Sequence, residues 1–126
     1  MTPIRSVQPA TGQPPIGPYS PATVVGNTVY VSGQIPRDAS GKLIADSIEN
    51  ATRQSLENLR EVLRAAGCTP SHVVKTTVFM QDLSEFDGMN RIYGEFFGEH
   101  RPARSTVQVA KLPAGARVEI DCIAVV

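Results

Sequence analysis

An α+β domain, a single mixed β-sheet with two helices packed on one face, is what this sequence predicts. β-rich runs punctuated by Gly, Asn and Pro alternate with two segments of helical spacing, in the order β-β-β-α-β-α-β-β. Several of the runs put apolar groups on both strand faces, which asks for cover on both sides of the sheet. At 126 residues there is enough chain for one core and too little for separate substrate and cofactor domains, so residues 1–126 read as one domain.

The elements follow in order. Thr23 to Val25 and Thr28 to Ser32 flank Gly26-Asn27, a two-residue turn signal that predicts a hairpin. A turn at Ser40-Gly41 predicts a third strand around Leu43. Asp46 or Ser47 starts a helix, with Glu49 three residues after Asp46 as in a capping box, and Gly67 stops it. Ile48, Thr52, Ser55, Leu59, Val62 and Ala66 hold one face of that helix.

After Pro70, Val73 to Gln81 is a β-branched and aromatic run, and Ser84 is expected to cap a second helix whose Met89, Tyr93, Phe96 and Phe97 share a face. Gly98 and Pro102 end it. Two final strands, Arg104 to Val109 and Arg117 to Val125, are expected to run antiparallel through the turn at Pro113-Ala114-Gly115. Val78-Phe79-Met80 and Cys122 to Val125 are apolar on both faces, and two helices cover only one. Copies of the chain are the expected cover for the other face, with loops as the alternative.

Twelve basic and twelve acidic side chains leave no net charge, which disfavours a nucleic-acid or anionic-membrane partner. No apolar run approaches a membrane span and no export signal is visible, so a soluble, cytoplasmic protein is expected. Cys68 and Cys122 belong to no metal-binding spacing and read as buried thiols of a reducing compartment.

Phosphate-binding glycine loops, nucleophile elbows and His/carboxylate metal spacings are missing. Glu119 and Asp121 share a strand face, but no third ligand lies near them in sequence, and no metal is expected. His72 and His100 sit at element boundaries and read as solvated loop residues rather than an acid/base pair. Arg104 alternates with Thr106 and Gln108 on a polar strand face. It is either an edge-strand guard facing water or a guanidinium fork for a carboxylate, and pattern alone does not choose.

Longer motifs add to this. Pro102-Ala103-Arg104-Ser105-Thr106-Val107-Gln108-Val109-Ala110, followed by Leu112-Pro113, resembles the signature segment of the RidA/YjgF family. Ile16-Gly17-Pro18-Tyr19-Ser20, Val31-Ser32-Gly33-Gln34-Ile35-Pro36, Val74-Lys75-Thr76-Thr77-Val78-Phe79 and Val118-Glu119-Ile120-Asp121 resemble its other motifs in the same order. The resemblance implies a chorismate-mutase-like fold and a homotrimer with active sites between subunits. It implies no cofactor. The implied activity is hydrolysis of 2-aminoacrylate, 2-aminocrotonate and their imine tautomers to 2-keto acids and ammonia.

Carried over by motif, Arg104 would bind the substrate carboxylate and Glu119 would hold the hydrolytic water. Tyr19, Ser32, Gly33, Asn90 and the backbone around Thr106 would line the cleft, with Tyr19 or Ser32 as candidate proton relays. A non-catalytic carboxylate-binding regulator or chaperone, or a ribonuclease or translation inhibitor, are the rival roles. Three departures bear on the cleft: Thr106 where many members have Cys, Pro21 where Gln is frequent, and a short loop from Glu99 to Pro102.

Overall fold

In a computed structural model that describes residues 2–11 and 14–126, six strands form one sheet in the order β1-β2-β3-β6-β4-β5. They are β1 (Ile4–Val7), β2 (Ala22–Val25), β3 (Thr28–Gln34), β4 (Val73–Met80), β5 (Ala103–Gln108) and β6 (Val118–Val125). Only the β4–β5 pair is parallel, so the sheet is mixed. Helices α1 (Ile48–Ala65) and α2 (Phe86–Phe97) pack against each other, and α1 lies on β3 and β6. The core between helices and sheet is apolar: Leu56, Leu59, Leu63, Met80, Met89 and Ile120 are fully buried in it.

Both helix ends of α1 can be read from their chemistry. Ser47 is the N-cap and its hydroxyl accepts from the Asn50 amide at 3.1 Å, while Asp46 accepts from the Asn50 side chain. The expected capping box from Asp46 to Glu49 is therefore absent, because the cap lies one residue later. At the other end the Gly67 amide donates to Arg64 and the Cys68 amide to Leu63. Those two bonds make a Schellman motif, and Gly67 takes the positive φ of 82° that it requires. For α2 the expected Ser84 cap is replaced: Asp82 accepts from the Ser84 amide and starts a 3-10 turn that leads into the helix at Phe86.

The strand order matches the expected β-β-β-α-β-α-β-β, yet its membership differs. The segment near Leu43 makes only an isolated bridge to Arg37, because Asp38 accepts from the Ser40 and Lys42 amides and curls the chain into a tight loop. The missing strand is β1 instead, paired in register with β2 from Ile4↔Val25 to Val7↔Ala22. It carries no amphipathic signal, since only Val7 is buried.

The last two strands do run in opposite directions, but they are not neighbours. β4 lies between them, paired parallel to β5 and antiparallel to β6. Val118, Ile120, Cys122 and Ala124 of β6 are buried under the helices, so Glu119, Asp121, Ile123 and Val125 point to the other face. That second face also carries Ile4, Tyr30 and Val107, all substantially exposed, and no element among the described residues covers it.

Candidate functional site

The candidate residues fall into two groups on opposite faces of the sheet. Arg104 belongs to the helix side, since its cross-strand partner Thr76 is fully buried there and bonds Tyr93 of α2. The Arg104 guanidinium lies over the Tyr93 ring at 4.7 Å and near the Phe86 ring at 5.5 Å. It has no hydrogen bond and no ion pair among the described residues. A cleft of about 460 Å³ opens beside it, lined by Asn90, Tyr93, Phe97, His100 and Pro102. Thr106, two residues along the same strand face, has a buried hydroxyl without a hydrogen-bond partner.

Glu119 heads the second group. The register sets it opposite Phe79, whereas Arg104 is level with Thr76 and Cys122. Three residues along the strand, at about 3.3 Å each, and two strand spacings of about 4.8 Å separate the two Cα atoms, before the thickness of the sheet is added. No three-carbon substrate held by one chain reaches both side chains.

What fixes Glu119 is a β-bulge. Val31 pairs with Cys122 and Gln34 with Ile120, so three steps on β3 match two on β6, and Ser32 and Gly33 lie in the bulge. Gly33 presses on the Glu119 side chain so closely that a Cβ there would sit 2.5 Å from its carboxylate oxygen. Burial holds the Glu119 carboxyl above its ordinary pKa, and the Asp121 charge on the same strand face adds to the effect. Asp121 is itself raised by burial, opposed by its hydrogen bonds to Thr77 and by Lys75.

Ser32 donates to the Ser20 carbonyl at 2.6 Å and its amide donates to Pro21 at 2.9 Å, which ties the segment carrying Tyr19 to the bulge. With its proton engaged, Ser32 is a tether rather than a free relay. Tyr19 is half exposed and lines one small cavity with Gly33 and Pro21. Tyr19, Ser32, Gly33 and Glu119 therefore form one half-site, while Arg104, Asn90 and Thr106 form the other.

Both histidines are partly exposed, as their place at element boundaries suggests, and each bonds a backbone group rather than the other histidine. The His72 Nδ1 accepts from the Thr69 amide at 2.9 Å, and His100 Nε2 donates to the Val73 carbonyl at 2.7 Å beside the Arg104 cleft. Cys68 and Cys122 are buried free thiols, Cys122 pushed up to about 12 by burial first. Among the described residues no metal-binding cluster forms, and no helix is long and apolar enough to cross a membrane.

Sequence reasoning missed the partners of Arg104. Tyr93 was assigned to the core by helical spacing alone, although a buried tyrosine hydroxyl asks for a polar partner, and Thr76 supplies it.

Comparison with known proteins bears on both groups. The model of the Endoribonuclease L-PSP family, which holds the YjgF and RidA proteins, matches residues 10–126. The chain belongs to the RidA/YjgF family. The mouse 2-iminobutanoate/2-iminopropanoate deaminase is 48% identical, the match covering 97% of this chain and 92% of that one. Among solved structures, the YjgF gene product of E. coli is 41% identical with a TM-score of 0.91, covering 96% of this chain and 98% of the other. E. coli TdcF with bound serine is 39% identical with a TM-score of 0.91, covering 97% and 98%. The fold and strand content described above are thus those of a RidA/YjgF protein.

Proposed function

We propose that this chain is a hydrolytic deaminase of 2-imino and 2-enamino carboxylates, with active sites completed between subunits of a homotrimer. The observation that carries the reading is the unpaired Arg104 guanidinium facing an open cleft. A fork held with its donors free suits a planar carboxylate better than it suits an edge-strand guard. The deaminase relatives and the relative with bound serine, which carries a carboxylate beside an amino-bearing carbon, support the same substrate class.

Arg104 fixes the carboxylate. Glu119, made a stronger base by burial, accepts a proton as water adds to the carbon of the C=N bond. Glu119 then returns that proton to the carbinolamine nitrogen, and the C–N bond breaks as the hydroxyl gives up its proton to the freed carboxylate. Ammonia and the 2-keto acid leave, with Glu119 restored when ammonia takes that last proton. An imine next to a carboxylate is electrophilic enough that positioning and one general base suffice, so no metal or cofactor has a task. Asn90 lines the Arg104 cleft and Thr106 follows Arg104 on the same strand face; Gly33, Ser32 and Tyr19 shape the Glu119 side, where Tyr19 carries the only uncommitted hydroxyl of the two relay candidates.

Separation of the half-sites onto opposite faces is the support for a shared site. One subunit presents Arg104 and the next presents Glu119, a heterologous contact that must close into a ring to remain soluble, and the family resemblance sets the ring at three. The uncovered sheet face with Tyr30, Val107 and Val125 offers the apolar surface such a contact buries. Two free buried thiols suit a reducing, cytoplasmic setting. Balanced charge with only three lysines argues against an RNA surface, whatever the family's description.

The test couples the purified protein to a threonine or serine dehydratase in a buffer poor in nucleophiles and follows keto-acid release. Acceleration over the dehydratase alone supports the deaminase. Binding of the product keto acid without acceleration makes the chain a carboxylate-binding regulator instead.

A further inference from the structure

We propose that Tyr93, tied to Thr76 and assisted by Phe86, is the positioning platform of Arg104 and thereby sets how tightly the site holds a carboxylate. The inference rests on the reading of Arg104 as the carboxylate fork and adds what orients it.

An arginine can be held in two ways. An acidic partner holds it firmly but occupies the in-plane donors that a carboxylate substrate needs. An aromatic face holds the guanidinium through its flat side and leaves the N–H edge free. Arg104 is held in the second way: its guanidinium lies over Tyr93 at 4.7 Å and near Phe86 at 5.5 Å, with no ion pair among the described residues.

The platform is itself anchored. Tyr93 packs on Phe97 with ring centroids 4.8 Å apart, and its hydroxyl meets the Thr76 hydroxyl at 2.7 Å in the core. Thr76 is fully buried on β4 between Val78 and the bulge at Val74, where an aliphatic residue would pack as well. A hydroxyl there makes sense as the anchor for Tyr93. Since Thr76 is also the cross-strand partner of Arg104, one residue of β4 registers both the fork and the ring beneath it. The Tyr93 hydroxyl stays protonated because burial raises its pKa, so it is always available for that bond.

The test measures binding of 2-ketobutyrate, the product of the proposed reaction, by titration calorimetry on the assembled full chain, alongside turnover in the coupled assay. Tyr93→Leu should weaken binding about three- to thirty-fold, the range of one cation–π contact from exposed to desolvated. Tyr93→Phe keeps the ring but loses its tie to Thr76, so it should recover most of the binding lost in Tyr93→Leu without reaching wild type, a partial rescue that a purely structural hydroxyl would not allow. Phe86→Leu, on the more accessible ring, should weaken binding about two- to fivefold and carries the test if Tyr93→Leu fails to assemble. Wild-type affinity in a folded Tyr93→Leu, or in Phe86→Leu where the former does not assemble, overturns the platform, as does a Tyr93→Phe loss equal to that of Leu. If Arg104→Lys leaves 2-ketobutyrate binding unchanged, the carboxylate role of Arg104 itself is wrong. If Arg104→Lys weakens binding while both ring variants do not, only the platform fails.

Discussion

Replacing Gly33 with alanine isolates the geometry of the Glu119 half-site, because the change adds one methyl group and no charge. An added Cβ would lie 2.5 Å from Glu119 Oε2, 2.7 Å from Cδ and 2.9 Å from Cγ. Ordinary van der Waals contact begins near 3.4 Å, so the carboxylate must retreat by about 0.9 Å, and the close Cγ means that rotating the far end alone is not enough. A misplacement of about 1 Å at a reacting group can cost roughly 10²-fold in rate, and that is the expected loss of keto-acid release for Gly33→Ala. Stability should fall less dramatically, by about 1 to 3 kcal/mol, the scale of overpacking. Turnover in the dehydratase-coupled assay and a thermal melt, measured on the same preparation, separate the two effects. The loss should also be non-additive with Glu119→Gln, since both changes act on one group. Wild-type turnover in Gly33→Ala, or full additivity with Glu119→Gln, would refute the argument that the bulge aims this carboxylate.

Three further outcomes follow from the same two half-sites. Glu119→Gln should slow turnover by about 10²- to 10⁴-fold while 2-ketobutyrate affinity stays near wild type, and lost binding with retained turnover would make Glu119 a ligand-binding group. Arg104→Lys should weaken carboxylate binding and nearly abolish turnover with assembly intact, because a single ammonium cannot reproduce the bidentate fork; a fully active assembled variant contradicts it. Asp121→Asn should move the acidic limb of the pH–rate profile to lower pH. Glu119 must be ionised to act, its pKa is raised by burial first and by the Asp121 charge second, and only the second cause is removed. The limb should therefore stay above that of an ordinary carboxylate, and a limb that moves upward or not at all shows that another group controls it.

Much of the architecture was legible because it rests on local chemistry. The Gly26-Asn27 hairpin, the Ser47 and Gly67 ends of α1 and the apolar stripe of α2 each follow from residues within a turn of one another. β1 was not legible, because a four-residue edge strand with one buried side chain is defined by its partner β2 and not by its own pattern. The strand near Leu43 was read from a turn signal whose Asp38 closes a loop instead. The neighbours of β5 and β6 could not be read either: the parallel β4–α2–β5 connection places β4 between them, and long-range pairing leaves no trace in a single strand.

At the site, residue identities came from motif resemblance and their grouping came from the structure. Counting along the strands separates Arg104 from Glu119 by several positions, and the observed register sets the separation at three. That the two side chains leave opposite faces depends on which alternate residues the helices cover, and the polar run of β5 hides it. The bulge at Ser32-Gly33 adds one residue to β3, and only the paired register reveals it.

The claim that the active site is shared between subunits is tested most directly by mixing. Arg104→Ala and Glu119→Ala assemblies, each inactive, are combined in equal amounts under conditions that exchange subunits, with exchange verified by mass spectrometry. In a closed ring each cleft takes Arg104 from one subunit and Glu119 from its neighbour, so about a quarter of the clefts become complete at random mixing. Recovery of about a quarter of wild-type turnover is the predicted result, and no recovery despite verified exchange would place both residues' work within one chain.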